Sequence, residues 1–225
     1  MSPRWGSKLS LCVGRETPNF LTSTIFNLKF ALMKSVAVYC GSATGTNPAY
    51  QRQAEEMGRL LAERNLTLVY GGGRVGLMGV VADSVLAHGG QVVGVIPDFM
   101  MGKEIEHRGL TELHIVSSMH ERKLLMAERA EAFVAMPGGY GTLEELFEVL
   151  TWGQLGLHHK PIGVLNVEGF YDHLLRALDH MADEDLLRRE NRQQLLSQPT
   201  PAALLDALAA YVPIKVTKWL RPGEE

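Results

Sequence analysis

The sequence predicts an α/β fold: a doubly wound, Rossmann-like parallel sheet with helices on both faces, formed as a single domain. Short apolar runs of strand length alternate along the chain with segments of helix length, which is the order of elements in such sheets. Several of these runs end in glycine, as residues 66–70 do before Gly71, Gly72 and Gly73. Ligands of such sheets bind at the carboxyl ends of the strands, so we expect the functional site at these glycine loops.

The first half of this pattern predicts three strands, at residues 36–40, 66–70 and 92–96, with helices at 48–64 and 77–88. Pro48 suits the first turn of a helix, because its missing N–H has no partner there. Gly89 and Gly90 suit the end of the second helix. Residues 99–110 carry several charges and little periodicity, so we expect a loop there.

The second half predicts three more strands, at residues 113–116, 132–136 and 162–167. Its helices are predicted at 119–130, from just after Gly141 to 154, at 171–181 and at 201–211. The ordered pattern begins near Met33-Lys34-Ser35. We therefore predict an extension or tag at residues 1–33, the α/β domain at 34–212 and an irregular tail at 213–225.

Composition narrows the class of protein. The 225 residues are 46% hydrophobic and 21% charged, as in an ordinary globular enzyme. The net charge of -3 gives no broad basic surface for nucleic acid, so any phosphate site must be local. Cys12 and Cys40 have no metal or redox spacing, and no stretch is apolar enough to span a membrane. We expect a cytoplasmic protein without a metal.

The segment from Pro137 to Glu145 (P-G-G-Y-G-T-L-E-E) is the most informative motif. It predicts a strand end, a glycine turn and a helix start with Glu144 and Glu145 in the first helical turn. Backbone N–H groups at such a turn can bind a phosphate, and the helix dipole favours the anion. Thr142 could either bind that phosphate or only cap the helix. The two carboxylates beside an anion site suggest a phosphorylated substrate whose reaction builds up positive charge.

A second glycine loop is ambiguous. Gly71, Gly73 and Gly76 satisfy G-x-G-x-x-G between a strand and a helix, as in dinucleotide-binding proteins. The motif follows the second strand rather than the first, however, and Asp98 lies too late for the usual acidic residue. The alternative is a tight turn that needs glycine only for its backbone geometry.

Two basic residues, Arg122 and Lys123, stand near the start of a predicted helix, where the dipole disfavours positive charge. Either a phosphate or a glutamate could offset them, or they could lie on a solvated helix face. Glu104 lies in the charged loop, and exposure to solvent is the default expectation for it. The histidines show no metal-binding spacing.

Several motifs together give the chain a specific resemblance. They are C-G-S at 40–42 with Pro48, G-G-G-R-V-G-L-M-G at 71–79, G-V-I-P at 94–97, M-H-E-R-K at 119–123 and the motif at 137–145. The chain resembles the LOG ("lonely guy") family of cytokinin-activating phosphoribohydrolases, once widely labelled lysine decarboxylases. The resemblance covers most of residues 34–180.

This resemblance implies hydrolysis of the N-glycosidic bond of a nucleoside 5′-monophosphate, possibly N6-prenylated AMP, to a free base and ribose 5-phosphate. It implies a dimer with active sites near the subunit interface, and no cofactor. The catalytic pair would be Arg122 and Glu145. The substrate-contacting positions would be Ser42, Gly72, Gly73, Glu104, Lys123, Gly139, Tyr140, Gly141, Thr142, Leu143, Glu144 and Thr151.

The chemistry of these residues agrees with that activity. Breaking an N-glycosidic bond passes through an oxocarbenium-like state, which a nearby carboxylate stabilises. We expect the helix start to favour ionised Glu145, and Arg122 to hold either that carboxylate or the phosphate. Three alternatives stay open: a non-catalytic nucleotide carrier, a pyridoxal-dependent decarboxylase and a dehydrogenase. The sequence does not decide between prenylated and plain adenine.

Overall fold

Seven parallel strands form one sheet in the order β4-β3-β2-β1-β5-β6-β7 in the computed structural model, which describes residues 33–101 and 106–214. Every neighbouring pair is parallel. The strands are β1 Ser35–Tyr39, β2 Thr67–Tyr70, β3 Val92–Pro97, β4 Glu112–Val116, β5 Ala132–Ala135, β6 Ile162–Leu165 and β7 Leu195–Gln198. The predicted Rossmann-like α/β fold is therefore confirmed.

Helices cover both faces of this sheet. They are α1 Pro48–Glu63, α2 Gly76–Ala87, α3 Met119–Arg129, α4 Tyr140–Gln154, α5 Asp172–Asp183, α6 Arg189–Arg192 and α7 Pro201–Ala210. Short 3₁₀ turns follow β3 at Asp98–Met100 and β6 at Val167–Gly169.

The two faces have separate cores because side chains alternate along each strand. On β1, Val36 and Val38 pack with residues of α1, α2 and α7. Ala37 and Tyr39 point to the opposite face and pack with residues of α3, α4 and α5. Buried parallel strands need apolar side chains on both faces, which explains the continuous apolar runs in the sequence.

The direction of winding reverses at β1. From β1 the chain proceeds outward through β2, β3 and β4, and then returns to pair β5 on the other side of β1. A crevice forms at the carboxyl ends of two such strands, since their connections lead to opposite faces. The loop after β1 and the loop after β5 border this crevice, and the Gly41 N–H donates to the Pro137 carbonyl at 3.1 Å.

The predicted elements all exist, with ends displaced by one or two residues. Two elements were not predicted, strand β7 and the short helix α6. The strand predicted to run to residue 167 ends at Leu165, since the chain turns there into a 3₁₀ helix. Met33 is buried in the core on the α1 side. Residues 1–32 and 215–225 of the predicted extension and tail lie outside the described residues.

Candidate functional site

Three glycine loops pack backbone to backbone at the carboxyl edge of the sheet. The Leu77 N–H donates to the Gly41 carbonyl at 3.0 Å, which joins the loop after β2 to the loop after β1. Gly76 has a φ of +62°, and an added Cβ there would lie 2.2 Å from the carbonyl carbon of Ser42. An added Cβ on Gly138 would lie 2.9 Å from the Gly41 nitrogen. Glycine is needed at 76 and 138 for this close approach.

A cavity of about 310 Å³ lies between two of these loops, at the point where the winding reverses. Ser42, which we predicted to contact substrate, belongs to its wall. Tyr50 and Phe170 close one side with an edge-to-face contact whose ring centroids are 5.5 Å apart. The remaining lining residues are Gly41, Ala43, Thr44, Gly45, Leu77, Pro137, Gly138 and Gly139.

The start of α4 is open to solvent. Gly139 is the N-cap and no side chain caps the helix, while Tyr140 is 94% exposed. A Cβ added to Gly139 or Gly141 would meet no atom within 4 Å, and neither residue has a positive φ. The fold itself therefore does not require glycine at these two positions, whereas a ligand approaching the helix N–H groups would.

Two details of the predicted helix start are corrected. The helix begins at Tyr140, one residue before Gly141, so Thr142 is its third residue and does not cap it. Thr142 is buried against Gly138, where an ideal Cβ would lie only 2.1 Å from the threonine hydroxyl oxygen. Glu144 and Glu145 consequently lie in the second helical turn, not the first.

Arg122 enters the site from the first turn of α3. Ser118 caps the start of this helix: its hydroxyl accepts from the Glu121 N–H, and the Glu121 carboxylate accepts from the Ser117 N–H at 2.8 Å. The Arg122 side chain is buried, and its Nε donates to the Val95 carbonyl at 3.1 Å. The hydrogen bond to Val95 thus places the guanidinium against the end of β3.

The guanidinium of Arg122 makes two further contacts. Its Nη2 donates to the Gly71 carbonyl at 3.4 Å, and its Nη1 lies 3.3 Å from Glu145 Oε1. A Cβ on Gly71 would stand 1.8 Å from Nη2, so glycine at this position leaves room for the arginine. Arg122 and Glu145 therefore face each other, which is one of the two arrangements that the sequence left open.

Glu145 is buried enough to hold a proton near neutral pH. Burial raises the pKa of its carboxyl group from 4.5 to about 7. The charge of Arg122 lowers this pKa, while that of Glu144 raises it. We had expected the helix start to favour the ionised form, but the loss of hydration outweighs that effect because the group lies deeper than the first turn.

Tyr39 and Cys40 lie at the end of β1 and interact electrostatically with Glu145; the sequence analysis named Cys40 only as part of the C-G-S motif and did not name Tyr39. Burial raises the pKa of the Tyr39 hydroxyl well above its ordinary value, and the negative charge of Glu145 adds to this. Burial, together with Glu145, also raises the pKa of the Cys40 thiol far above its usual range. Both groups are therefore neutral; Tyr39 packs in the core on the α3–α4 side of the sheet, whereas Cys40 packs in the core on the opposite side.

Lys123 contacts two carboxylates of α4. Its ammonium is hydrogen-bonded to Glu144, and its Nζ lies 3.1 Å from Glu148 Oε1. Burial alone would lower the pKa of Lys123, but the hydrogen bonds to the two carboxylates raise it above the ordinary value. Glutamates thus offset the positive charges of α3. This is one of the possibilities that the sequence left open for the two basic residues. Glu148 was missed, although its spacing of four residues from Glu144 places both on one helix face.

The other predicted site residues are spread around this pair. Gly72 has a φ of +73°, and Gly73 forms an isolated bridge with Glu106. The Thr151 hydroxyl donates to the Phe147 carbonyl of its own helix at 2.7 Å. Thr151 also lines a separate cavity of about 80 Å³ with residues of α5 and α6, away from the glycine loops. Glu104 lies outside the described residues.

The described part of the chain contains no group of three or more His, Cys, Asp or Glu side chains placed to hold a metal ion. Within the same residues, none of the helices combines the length and apolar character that crossing a membrane requires.

Solved structures with this architecture include the molybdenum cofactor carrier protein of Chlamydomonas reinhardtii, with a TM-score of 0.60 and 20% identity. That match covers 80% of this chain and 99% of the carrier. The molybdenum cofactor binding protein of Rippkaea orientalis gives a TM-score of 0.59 at 18% identity, over 77% and 94% of the two chains. At this identity the likeness concerns the fold alone.

Sequence relatives are much more similar. Cytokinin riboside 5′-monophosphate phosphoribohydrolase LOG of Oryza sativa subsp. japonica is 49% identical over 180 residues, which are 80% of this chain and 74% of that protein. The enzyme LOG7 of Arabidopsis thaliana is 48% identical over 80% and 83% of the two chains. The family described as "Possible lysine decarboxylase" matches residues 78–208. The site motifs and the fold agree with these matches. The chain therefore belongs to this family, the LOG phosphoribohydrolases.

Proposed function

We propose that the protein hydrolyses the N-glycosidic bond of an adenosine 5′-monophosphate, plain or N6-prenylated, releasing the free base and ribose 5-phosphate. The observation that carries this proposal is the buried contact between Arg122 and Glu145 beside the open start of α4. The names of relatives that are nearly half identical to the chain support the same reaction.

The phosphate binds at the start of α4 in this proposal. Gly139 and Gly141 leave room above the first N–H groups of the helix, where the dipole favours an anion. Ser42 supplies a hydroxyl from the opposite wall of the cavity between the loops. The main-chain groups of residues 139–143 hold the phosphate, and the exposed Tyr140 side chain covers it from outside.

Glu145 faces the sugar in the proposed mechanism. As the base leaves, positive charge develops on the ribose, and an ionised carboxylate stabilises it and orients the attacking water. Arg122 fixes the carboxylate and lowers its pKa, so that a working fraction of Glu145 is ionised near pH 7. The phosphate anchors the ribose at this place, which reduces the entropic cost of reaching the transition state.

Glu144 and Lys123 have different access to a substrate. The Glu144 side chain is 55% exposed, so it can reach a ribose hydroxyl as the resemblance implied. Lys123 is buried between two carboxylates, and we assign it an indirect part in binding. Gly72, Gly73 and Thr151, together with Glu104, remain proposed contacts to the rest of the nucleotide.

A homodimer is part of the proposal. Large apolar side chains are exposed on α3 and α4, two helices that cover the same face of the sheet, namely Met119, Leu124 and Phe147. Burying such a surface against a second copy would stabilise a dimer, and Thr151 lies one helical turn beyond Phe147. The molar mass in solution, measured by light scattering, tests this point. We also propose a cytoplasmic location, which the small number of cysteines, two in 225 residues, supports.

The alternatives fit the site less well. A pyridoxal enzyme needs a lysine that can lose its proton, yet contacts with carboxylates raise the pKa of Lys123, the lysine of the site motif. A carrier without catalysis would not need a buried carboxylate paired with Arg122. A dehydrogenase would need the acidic residue that the second glycine loop lacks.

The decisive experiment is incubation of the purified protein with AMP, isopentenyl-AMP, GMP and CMP, with chromatographic detection of the free base. We expect release from one or both adenine nucleotides, and their ratio identifies the physiological class. Failure to release base from any of the four nucleotides would overturn the proposed function.

A further inference from the structure

We propose that Glu148 is a positioning residue: it anchors Lys123 between helices α3 and α4, and thereby keeps the adjacent Arg122 against Glu145. This inference rests on the proposed function, since it assigns a residue to that reaction. Glu148 lies outside the motifs by which the sequence identified the site.

The geometry is a double bridge between two helices. Arg122 and Lys123 are neighbours on α3, and Glu144 and Glu145 are neighbours on α4. Arg122 contacts Glu145, and Lys123 contacts Glu144, so that two ion pairs run side by side. Adjacent residues on a helix point in directions about 100° apart, so the orientation of α4 must be well defined for both pairs to form together.

Glu148 makes the second of these bridges rigid. Glu144 is more than half exposed, so on its own it would hold Lys123 in competition with water. Glu148 is only 24% exposed and lies 3.1 Å from the buried Nζ. An ammonium has three donors, and two carboxylates one helical turn apart on α4 fix its direction. Lys123 thereby fixes α3 against α4 one residue from the reacting carboxylate.

Glu148 also contributes to the charge around Glu145. The titratable groups that interact electrostatically with this carboxylate are Tyr39 and Cys40 from the end of β1, Arg122 and Lys123 from α3, and Glu144 and Glu148 from α4. Of these, the negative charge of Glu148 raises the pKa of Glu145, and the positive charge of Lys123 lowers it. Neutralising Glu148 removes one negative charge and leaves Lys123 less compensated, and both changes favour ionised Glu145.

The test compares Glu148→Gln with Glu128→Gln, an exposed glutamate farther along α3. We expect Glu148→Gln to lower kcat about tenfold and to change KM by less than about threefold, because the residue touches Lys123 and not the substrate. The acidic limb of its kcat/KM profile should move to lower pH by about half a unit. Glu128→Gln should match the wild type in all three quantities.

A double variant tests whether Glu148 acts through Lys123. In a Lys123→Met background, adding Glu148→Gln should cost less than about twofold in kcat, because the contact is already lost. Glu148→Asp is the second single variant: it keeps the charge but withdraws the carboxylate. It should lower kcat while the acidic limb stays at the wild-type pH. Thermal unfolding of each variant confirms that it is folded.

The outcomes separate this inference from the proposed function. A wild-type protein that releases no base refutes the function itself. The wild type could instead be active while both Glu148→Gln and Glu148→Asp keep the wild-type kcat and the wild-type acidic limb. That result would refute the role of Glu148 and leave the proposed function standing. If the effects of Lys123→Met and Glu148→Gln on kcat are fully additive in the double variant, Glu148 does not act through Lys123.

Discussion

Arg122 Nη1 lies 3.3 Å from Glu145 Oε1, and about 10% of each side chain is exposed. Two backbone carbonyls, of Gly71 and Val95, hold the guanidinium from behind. The contact therefore joins α4 to the ends of β2 and β3 and brings a titratable carboxylate to a fixed place.

Replacing Glu145 with Gln should preserve the fold and lower kcat by a hundredfold or more. The amide fills the same space but cannot stabilise the developing positive charge, and removing one preorganised group typically costs on the order of a hundredfold. Base release under single-turnover conditions measures the effect. Glu128→Gln is the control, and near-normal turnover of Glu145→Gln would exclude this carboxylate from the reaction.

Glu145 should also make stability depend on pH. Its pKa is raised from 4.5 to about 7 in the folded state, so the folded protein binds this proton more tightly than the unfolded chain. The resulting stabilisation is complete below about pH 4.5 and is lost as the pH rises through 7. The free energy of unfolding of the wild type, relative to that of Glu145→Gln, should fall by about 3 kcal/mol from pH 4.5 to pH 8.

Urea denaturation of the two proteins at several pH values gives this difference. The other titratable groups are common to both, so their contributions largely cancel. A constant difference across the range would mean that the carboxyl group titrates near its ordinary value in the folded protein.

Gly71→Ala should displace Arg122. The new methyl group would stand 1.8 Å from Nη2, while the backbone of Gly71, which has no positive φ, accepts alanine. We expect a loss in kcat of about tenfold or more, as for other displaced electrostatic groups. In an Arg122→Ala background the same substitution should cost little, because the clash is gone. Equal losses in both backgrounds would show that the methyl group acts by another route.

Gly141→Ala should stabilise the protein and weaken substrate binding. Alanine is favoured over glycine in a helix by about 0.5–1 kcal/mol, and its Cβ meets no atom within 4 Å. The same methyl group intrudes on the proposed phosphate position, so KM should rise about tenfold. If the variant is more stable but its KM is unchanged, the phosphate does not bind at the start of α4.

Much of the sheet could be predicted because buried parallel strands leave continuous apolar runs, and glycine marks their ends. Strand β7 could not, since its four residues include the polar Ser197 and Gln198, and it pairs only with β6 at the edge. Its register is set by tertiary contacts, such as the Asn166 N–H that donates to the Gln198 carbonyl at 2.8 Å. No local pattern carries such information.

The site was predictable in its residue types but not in its electrostatics. The motif at 137–145 and the Arg122-Lys123 pair indicated carboxylates near basic groups, and they do meet. The pKa of Glu145 depends on burial by elements distant in sequence, and the sequence predicted the opposite direction for it. The contact between Lys123 and Glu148 likewise depends on how two helices pack, which spacing within one helix cannot give.

The buried, neutral thiol of Cys40 at the end of β1 provides a natural reporter. Because this thiol is buried and its pKa is raised, it reacts with alkylating reagents only when the end of β1 is transiently exposed. In a Cys12→Ser background, its labelling rate would therefore measure how often the end of β1, next to the glycine loops, becomes exposed. Substrate that binds between the glycine loops and holds them closed should slow this labelling, so that binding can be followed without an engineered probe.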